Sequence, residues 1–197
     1  MRKLLVLLAV GFAGNALAQS GEFWFDAGES VLSNSGIGTD QTVGGKSNDV
    51  QLTNGFRFAF RFCFNQGDHF GHEVQYAYSR THLQYNDQGG ANQGMAIHQG
   101  GYNFLGYLTK EGSKIRPFGT AGVQFSNFVP PGSSATSGGG DNKFGFNYGA
   151  GVKARVGSKF GVRFDVRQYA SGKPFGLAMK SGMLRQTEVS AGFGLMF

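Results

Sequence analysis

The sequence predicts an all-β fold: an eight-stranded antiparallel up-and-down transmembrane β-barrel. Three observations predict it. Apolar residues alternate with small or polar ones along eight segments, the period with which side chains leave opposite faces of a strand. Short and long connections between those segments alternate strictly. The chain carries 34 glycines and 20 phenylalanines, yet after its first residues it has no apolar run long enough for a membrane-spanning helix.

The first residues read as a targeting segment. Arg2 and Lys3, the apolar stretch Leu4 to Ala13, and Ala16-Leu17-Ala18 before Gln19 have the charged start, apolar core and cleavage site of a secretory signal peptide. Residues 1–18 are therefore expected to be removed, leaving residues 19–197 as one barrel domain. Loss of Arg2 and Lys3 takes two charges from the formal +6, leaving +4. That bias is small, no basic run accompanies it, and nucleic acid is excluded as a partner. Cys63 is the single cysteine, so no internal disulfide forms, and its inward strand position makes it a packing residue.

The segments follow in order. Glu22 to Leu32 sets Phe23, Phe25, Ala27 and Val31 against Trp24, Asp26, Gly28 and Ser30. Leu52 to Phe64 has the clearest pattern, with Phe56, Phe58, Phe60, Phe62 and Phe64 on one face and Arg57, Ala59, Arg61 and Cys63 on the other. His69 to Leu83 sets Phe70, His72, Val74, Tyr76 and Tyr78 against Glu73, Gln75, Ala77 and Ser79. In Met95 to Leu108, Tyr102, Phe104 and Leu108 oppose Gln99, Gly101 and Asn103. In Ile115 to Phe128 either face can be the apolar one, because Pro117 and Phe118 are adjacent. Phe144 to Arg155, Phe160 to Arg167 and Glu188 to Phe197 alternate cleanly again. Each segment is about as long as a tilted membrane strand requires, roughly ten residues.

Asn65 to Asp68, Thr109 to Ser113 and Gly157-Ser158 are the short turns. Ser33 to Asn48, Asn86 to Gly94, Val129 to Asn142 and Ser171 to Leu184 are the long loops, rich in Gly, Ser and Asn. All long loops then emerge at one end and both termini lie at the other, the asymmetry of membrane barrels.

Alternation does not say which face is wet. A soluble lipocalin-like ligand-binding barrel has the same period with its apolar face inward, and a two-sheet sandwich would bury aromatic faces against each other. Volume favours the membrane. An eight-stranded lumen is barely wide enough for ordinary side chains, whereas the Gly, Ala, Ser and Asn face with its few long charges fits there. The aromatic stripes are expected to face lipid, and closure removes the free strand edges a membrane penalises.

Lys143 to Val152, read KFGFNYGAGV, and Val189 to Phe197, read VSAGFGLMF, carry a resemblance. The chain resembles the small eight-stranded outer-membrane β-barrel proteins, the group of the OmpA barrel domain and the minimal OmpX- and NspA-type barrels. The resemblance covers the whole mature chain and implies the outer membrane of a diderm bacterium, reached by signal-peptide export. It implies outer-membrane lipid and lipopolysaccharide, periplasmic chaperones and the barrel-assembly machinery as partners, with the last strand ending in Phe197 as the assembly signal. A monomer without a peptidoglycan-binding domain is expected.

The inward face collects Arg57, Arg61, Lys153, Arg155, Arg163 and Arg167, with Asp26, Glu73, Asp165 and Glu188 as partners. Charges shut away from water must be paired or hydrated. Arg163, Asp165 and Arg167 are consecutive inward positions on one strand, so Asp165 can bridge two guanidinium groups. Two readings follow: a salt-bridged plug that rigidifies the barrel, or a narrow ion pore gated by the same network.

Enzymatic function is not expected. Some eight-stranded barrels modify lipid A, using serine and histidine near the outer rim. The deacylases among them have histidine two residues before the serine, where this chain has Gln124 before Ser126. Ser79 and His82 point to opposite faces of a regular strand and should not meet. His69, His72 and His98 have no neighbours at metal-ligand spacing, so neither a metal nor a cofactor is implied. The expected role is structural or surface interaction, with adhesion permitted. Arg80, Lys173, Lys180 and Arg185 are placed to meet lipopolysaccharide phosphates.

Overall fold

The computed structural model describes residues 19–40, 48–86, 92–180 and 182–197; the signal-peptide reading of residues 1–18 lies outside them. Ten strands follow in chain order: β1 (Gln19–Ser33), β2 (Gly36–Asp40), β3 (Asn48–Leu52), β4 (Gly55–Gln66), β5 (Phe70–Tyr85), β6 (Asn92–Tyr107), β7 (Ile115–Val129), β8 (Asp141–Arg155), β9 (Phe160–Gly172) and β10 (Met183–Met196). Eight of them, β1 and β4 to β10, form an antiparallel ring in which each pairs with its neighbour in the chain. β1 closes it, with Trp24 opposite Arg61 of β4 on one side and Gly194 of β10 on the other. Turns at 67–69, 108–114 and 156–159 join β4 to β5, β6 to β7 and β8 to β9 at the end that holds both termini.

The barrel strands are 12 to 16 residues long, more than the roughly ten needed to cross hydrocarbon at a usual tilt, so the wall continues above the membrane on the loop side. The predicted first loop is partly regular there. β2 and β3 pair as a hairpin, and β3 continues the wall by pairing with β5, Leu52 opposite Leu83.

This corrects the reading of Leu52 to Phe64 as one strand. Thr53-Asn54 interrupts it, and the Asn54 side chain accepts the Leu32 amide at 2.8 Å across the break. The interruption shifts parity by one. Leu52 turns inward and is 2 % exposed, while Phe56 and Phe60, at even positions too, face outward. Below the break the alternation is regular and the aromatic rings pack along the outer wall, Phe58 against Tyr78 at 5.2 Å and Phe25 against Phe60 at 5.3 Å between centroids.

β7, whose facing stayed open, is decided by packing. Phe118 is buried in the lumen and Val123 and Phe125 face outward. The lumen therefore holds more large side chains than its volume suggests: Trp24, Tyr107, Phe118, Phe128 and Tyr169 are all inside. Glycines make the room. A Cβ on Gly194 would lie 2.5 Å from the Trp24 ring, and one on Gly151 would lie 2.5 Å from the Phe118 ring.

Two apolar clusters bracket the lumen. Trp24, Cys63, Leu105, Tyr107 and Phe118 pack at the terminal end. Leu32, Ile37, Val50, Leu52, Leu83, Met95, Ile97, Phe128 and Leu184 pack at the loop end. Between them lies the polar layer.

Candidate functional site

The polar layer is built by parity. On β4, β5, β9 and β10 the inward positions are Arg57 and Arg61, Glu73 and Gln75, Arg163, Asp165 and Arg167, and Glu188 and Ser190, all buried. Because neighbouring strands are staggered, cations of one strand come level with carboxylates of strands across the ring.

Asp165 lies between two guanidinium groups of its own strand. Arg163 Nε donates to one of its oxygens at 2.6 Å and Arg167 Nε to the other at 2.8 Å. Glu73 is shared in the same way from across the lumen, at 2.7 Å from Arg167 Nη1 and 2.8 Å from Arg163 Nη2. Asn103 adds a donor to Glu73 at 3.0 Å. Glu188 takes Arg57 Nε at 2.9 Å and Arg61 Nη2 at 2.5 Å, with hydroxyl donors from Tyr169 at 2.7 Å and Ser190 at 2.5 Å. The Arg57 guanidinium also lies over the Tyr169 ring, 4.4 Å from its centroid.

Asp26 is the least satisfied member. Arg61 Nη1 lies 2.6 Å from its carboxylate, but no N–H is aligned on either oxygen, so the contact is Coulombic. Four guanidinium groups (Arg57, Arg61, Arg163, Arg167) thus face four carboxylates (Asp26, Glu73, Asp165, Glu188) among the described residues. The layer is neutral, as desolvated charge must nearly be.

Lys153 belongs to a separate cluster nearer the termini. It pairs with Glu22 and donates to the Tyr107 hydroxyl at 2.7 Å. Glu22 also accepts from Trp24 Nε1 and Asn65 at 2.8 Å, and Arg116 Nη1 stands 3.8 Å away. Arg155 departs from the expected network. It is the last inward residue of β8, half-buried at the terminal mouth, where Lys153 and Arg116 already share Glu22; it makes no ion pair with any described residue.

The sequence reading does not include Glu22, Arg116 or Tyr169. Glu22 and Tyr169 had a readable signal, the parity of Trp24 and of Arg167. Arg116 had none while the facing of β7 was open. The apolar cap was hidden for the same reason, since Phe128 lies on β7 and Leu52 beyond the parity break.

The residues weighed for chemistry are held apart. The Ser79 hydroxyl accepts from Arg57 Nη1 at 3.0 Å inside the lumen, while His82 is on the outer side of the wall. Ser126 is buried and accepts from Gln99 at 2.9 Å. His72 and His98 are on the outer wall, hydrogen-bonded to Tyr102 and Tyr76 at 2.8 and 2.7 Å. Among the described residues no three His, Cys, Asp or Glu side chains converge as metal ligands.

An apolar outer wall around an ion-paired lumen defines the class: an eight-stranded transmembrane β-barrel. The chain belongs to the outer membrane protein beta-barrel domain family, whose model matches residues 4–197. It resembles the outer membrane protein OprG from Pseudomonas aeruginosa with a TM-score of 0.61 and 14% identity, over 90% of this chain and 96% of that one. Neisserial surface protein A matches with a TM-score of 0.59 and 16% identity, over 92% and 100%. Ail, the attachment invasion locus protein of Yersinia pestis, matches at 0.52 and 13%, also over 92% and 100%. At these identities the likeness is one of fold. No curated protein matches the chain in sequence.

Proposed function

We propose that the protein is a sealed structural and surface-contact element of the outer membrane, neither a pore nor an enzyme. One observation carries this reading: the lumen is filled by a charge-balanced network lying beneath an apolar cap. An ion moving along the axis would have to break contacts of 2.5 to 2.9 Å between fully buried charges and then cross the cap. Each broken buried pair leaves a desolvated charge that costs about 3–5 kcal/mol.

In this reading the signal peptide at residues 1–18 exports the chain, and the last strand hands it to the assembly machinery. Phe197 suits that role because it ends an alternating strand, with its backbone paired to Gly21 and its ring against Phe62 at 6.0 Å. The folded barrel works as a monomer in contact with outer-leaflet lipid.

Planar-bilayer recording of purified protein tests the reading and is expected to be silent. Reproducible unitary currents that vanish in Arg163→Gln or Asp165→Asn would replace it with the gated pore. Mass spectrometry of lipid A from cells with and without the protein is expected to show no difference, and a changed acyl pattern would make it an enzyme.

A further inference from the structure

The rim of the barrel carries one feature that the lumen does not use. On β5 the outward row climbs from Tyr76 and Tyr78 to Arg80, which is exposed and makes no ion pair with any described residue. On β6 its register partner is Ala96, and two residues away Gly94, opposite His82, offers no side chain. A Cβ there would stand 3.6 Å from Arg80 Nη2, so the guanidinium lies over bare backbone. The segment that follows β7, Pro130 to Ser133, closes the far side. The result is a crevice of ≈ 180 Å³, lined by Tyr78, Arg80, Gly94 and Ser133 among others, without a single carboxylate. The nearest acid of the following strand, Asp141, is taken by Lys143 at 3.0 Å and by the Phe175 amide at 2.5 Å.

We propose that this crevice binds the phosphorylated headgroup of an outer-leaflet glycolipid, with Arg80 as the phosphate ligand. Three features select that occupant. The crevice sits where the apolar wall ends and the loops begin, the depth at which a lipid headgroup lies. Its lining combines the guanidinium fork of Arg80 with the hydroxyl-bearing residues Tyr78 and Ser133, residue types suited to phosphate oxygens. Directly below it Tyr76 and Phe125, about half exposed, continue an apolar surface on which acyl chains can lie. A free anion would use the first two features and leave the third idle.

The inference rests on the surface-contact reading above, but the two fail separately, since a barrel that conducts ions could still hold a lipid here. Native mass spectrometry of the detergent-solubilised full chain is the test, with lipid A carrying both phosphates, dephosphorylated lipid A, and inorganic phosphate as probes. Wild type is expected to retain one bis-phosphorylated lipid A. Arg80→Gln should lower the bound fraction about tenfold, the loss expected for one charge-assisted contact. Ser133→Trp, which fills the crevice from the loop side, should do the same. Lys159→Gln, exposed in the 156–159 turn at the opposite end of the barrel, should bind as wild type. Heat-modifiable migration verifies that each variant is folded. The proposal is overturned if Arg80→Gln binds as well as wild type, or if Lys159→Gln loses as much. Equal retention of dephosphorylated lipid A, or displacement by millimolar inorganic phosphate, would overturn it too.

Discussion

The Arg61 guanidinium on β4 lies 2.5 Å from the Glu188 carboxylate on β10, although β1 stands between the two strands. The contact crosses the seam where the first and last strands of the barrel meet. The same carboxylate holds Arg57 at 2.9 Å, so one acidic side chain ties β10 to two positions of β4. All three side chains are fully buried. A structure closed by its final strand therefore has its seam braced from the inside.

Removing that brace has a definite expected cost. Glu188→Ala leaves Arg57 without a carboxylate partner, so equilibrium unfolding in urea should show a loss of about 3–5 kcal/mol. Because the pairs are shut away from solvent, raising salt from roughly 0.05 to 1 M should change wild-type stability little. Trp24, the only tryptophan, reports both experiments through its fluorescence. A loss under about 1 kcal/mol, the size of a solvent-exposed pair, would show that the network is not desolvated.

The seam also depends on a close approach between Trp24 and Gly194. The indole occupies the space a Cβ at 194 would need, 2.5 Å from the ring. Gly194→Val should displace the ring, shift its emission and cost about 1–3 kcal/mol through overpacking. Val189→Ala, on the lipid side of the same strand, should leave the emission unchanged. Identical spectra for Gly194→Val and wild type would place Trp24 somewhere other than the lumen.

The parity break at Thr53-Asn54 can be read by thiol chemistry. Native Cys63 is fully buried, and burial should keep it unreactive toward a maleimide until urea unfolds the barrel. In a Cys63→Ser background, Leu52→Cys should be protected as well, being inside the apolar cap. Phe56→Cys, on the outer wall at the same parity, should react with a lipid-soluble maleimide. Reaction at both positions would mean that the strand runs unbroken, with 52 and 56 on one face.

Some of this was legible in the residues alone. Period-two alternation specifies which side chains share a face, because a strand has only two faces, and alternating loop lengths specify which end each connection occupies. That was enough for the barrel, for the lipid-facing phenylalanines, and for Asp165 between Arg163 and Arg167, which are neighbours on one strand.

What crosses from strand to strand was not legible. Glu188 meets Arg61, and Glu73 meets Arg163 and Arg167, only through the stagger set on closing the ring, a property of all eight strands together. The inward turn of Phe118 needed Gly151 across from it, and the inward turn of Leu52 needed a two-residue break with no period of its own. Arg155 shares the parity of Lys153 but reaches the mouth, where no carboxylate is left. Sequence settled the faces because facing is local; the fold settled the partners, because in a closed ring each partner depends on the register of every strand between.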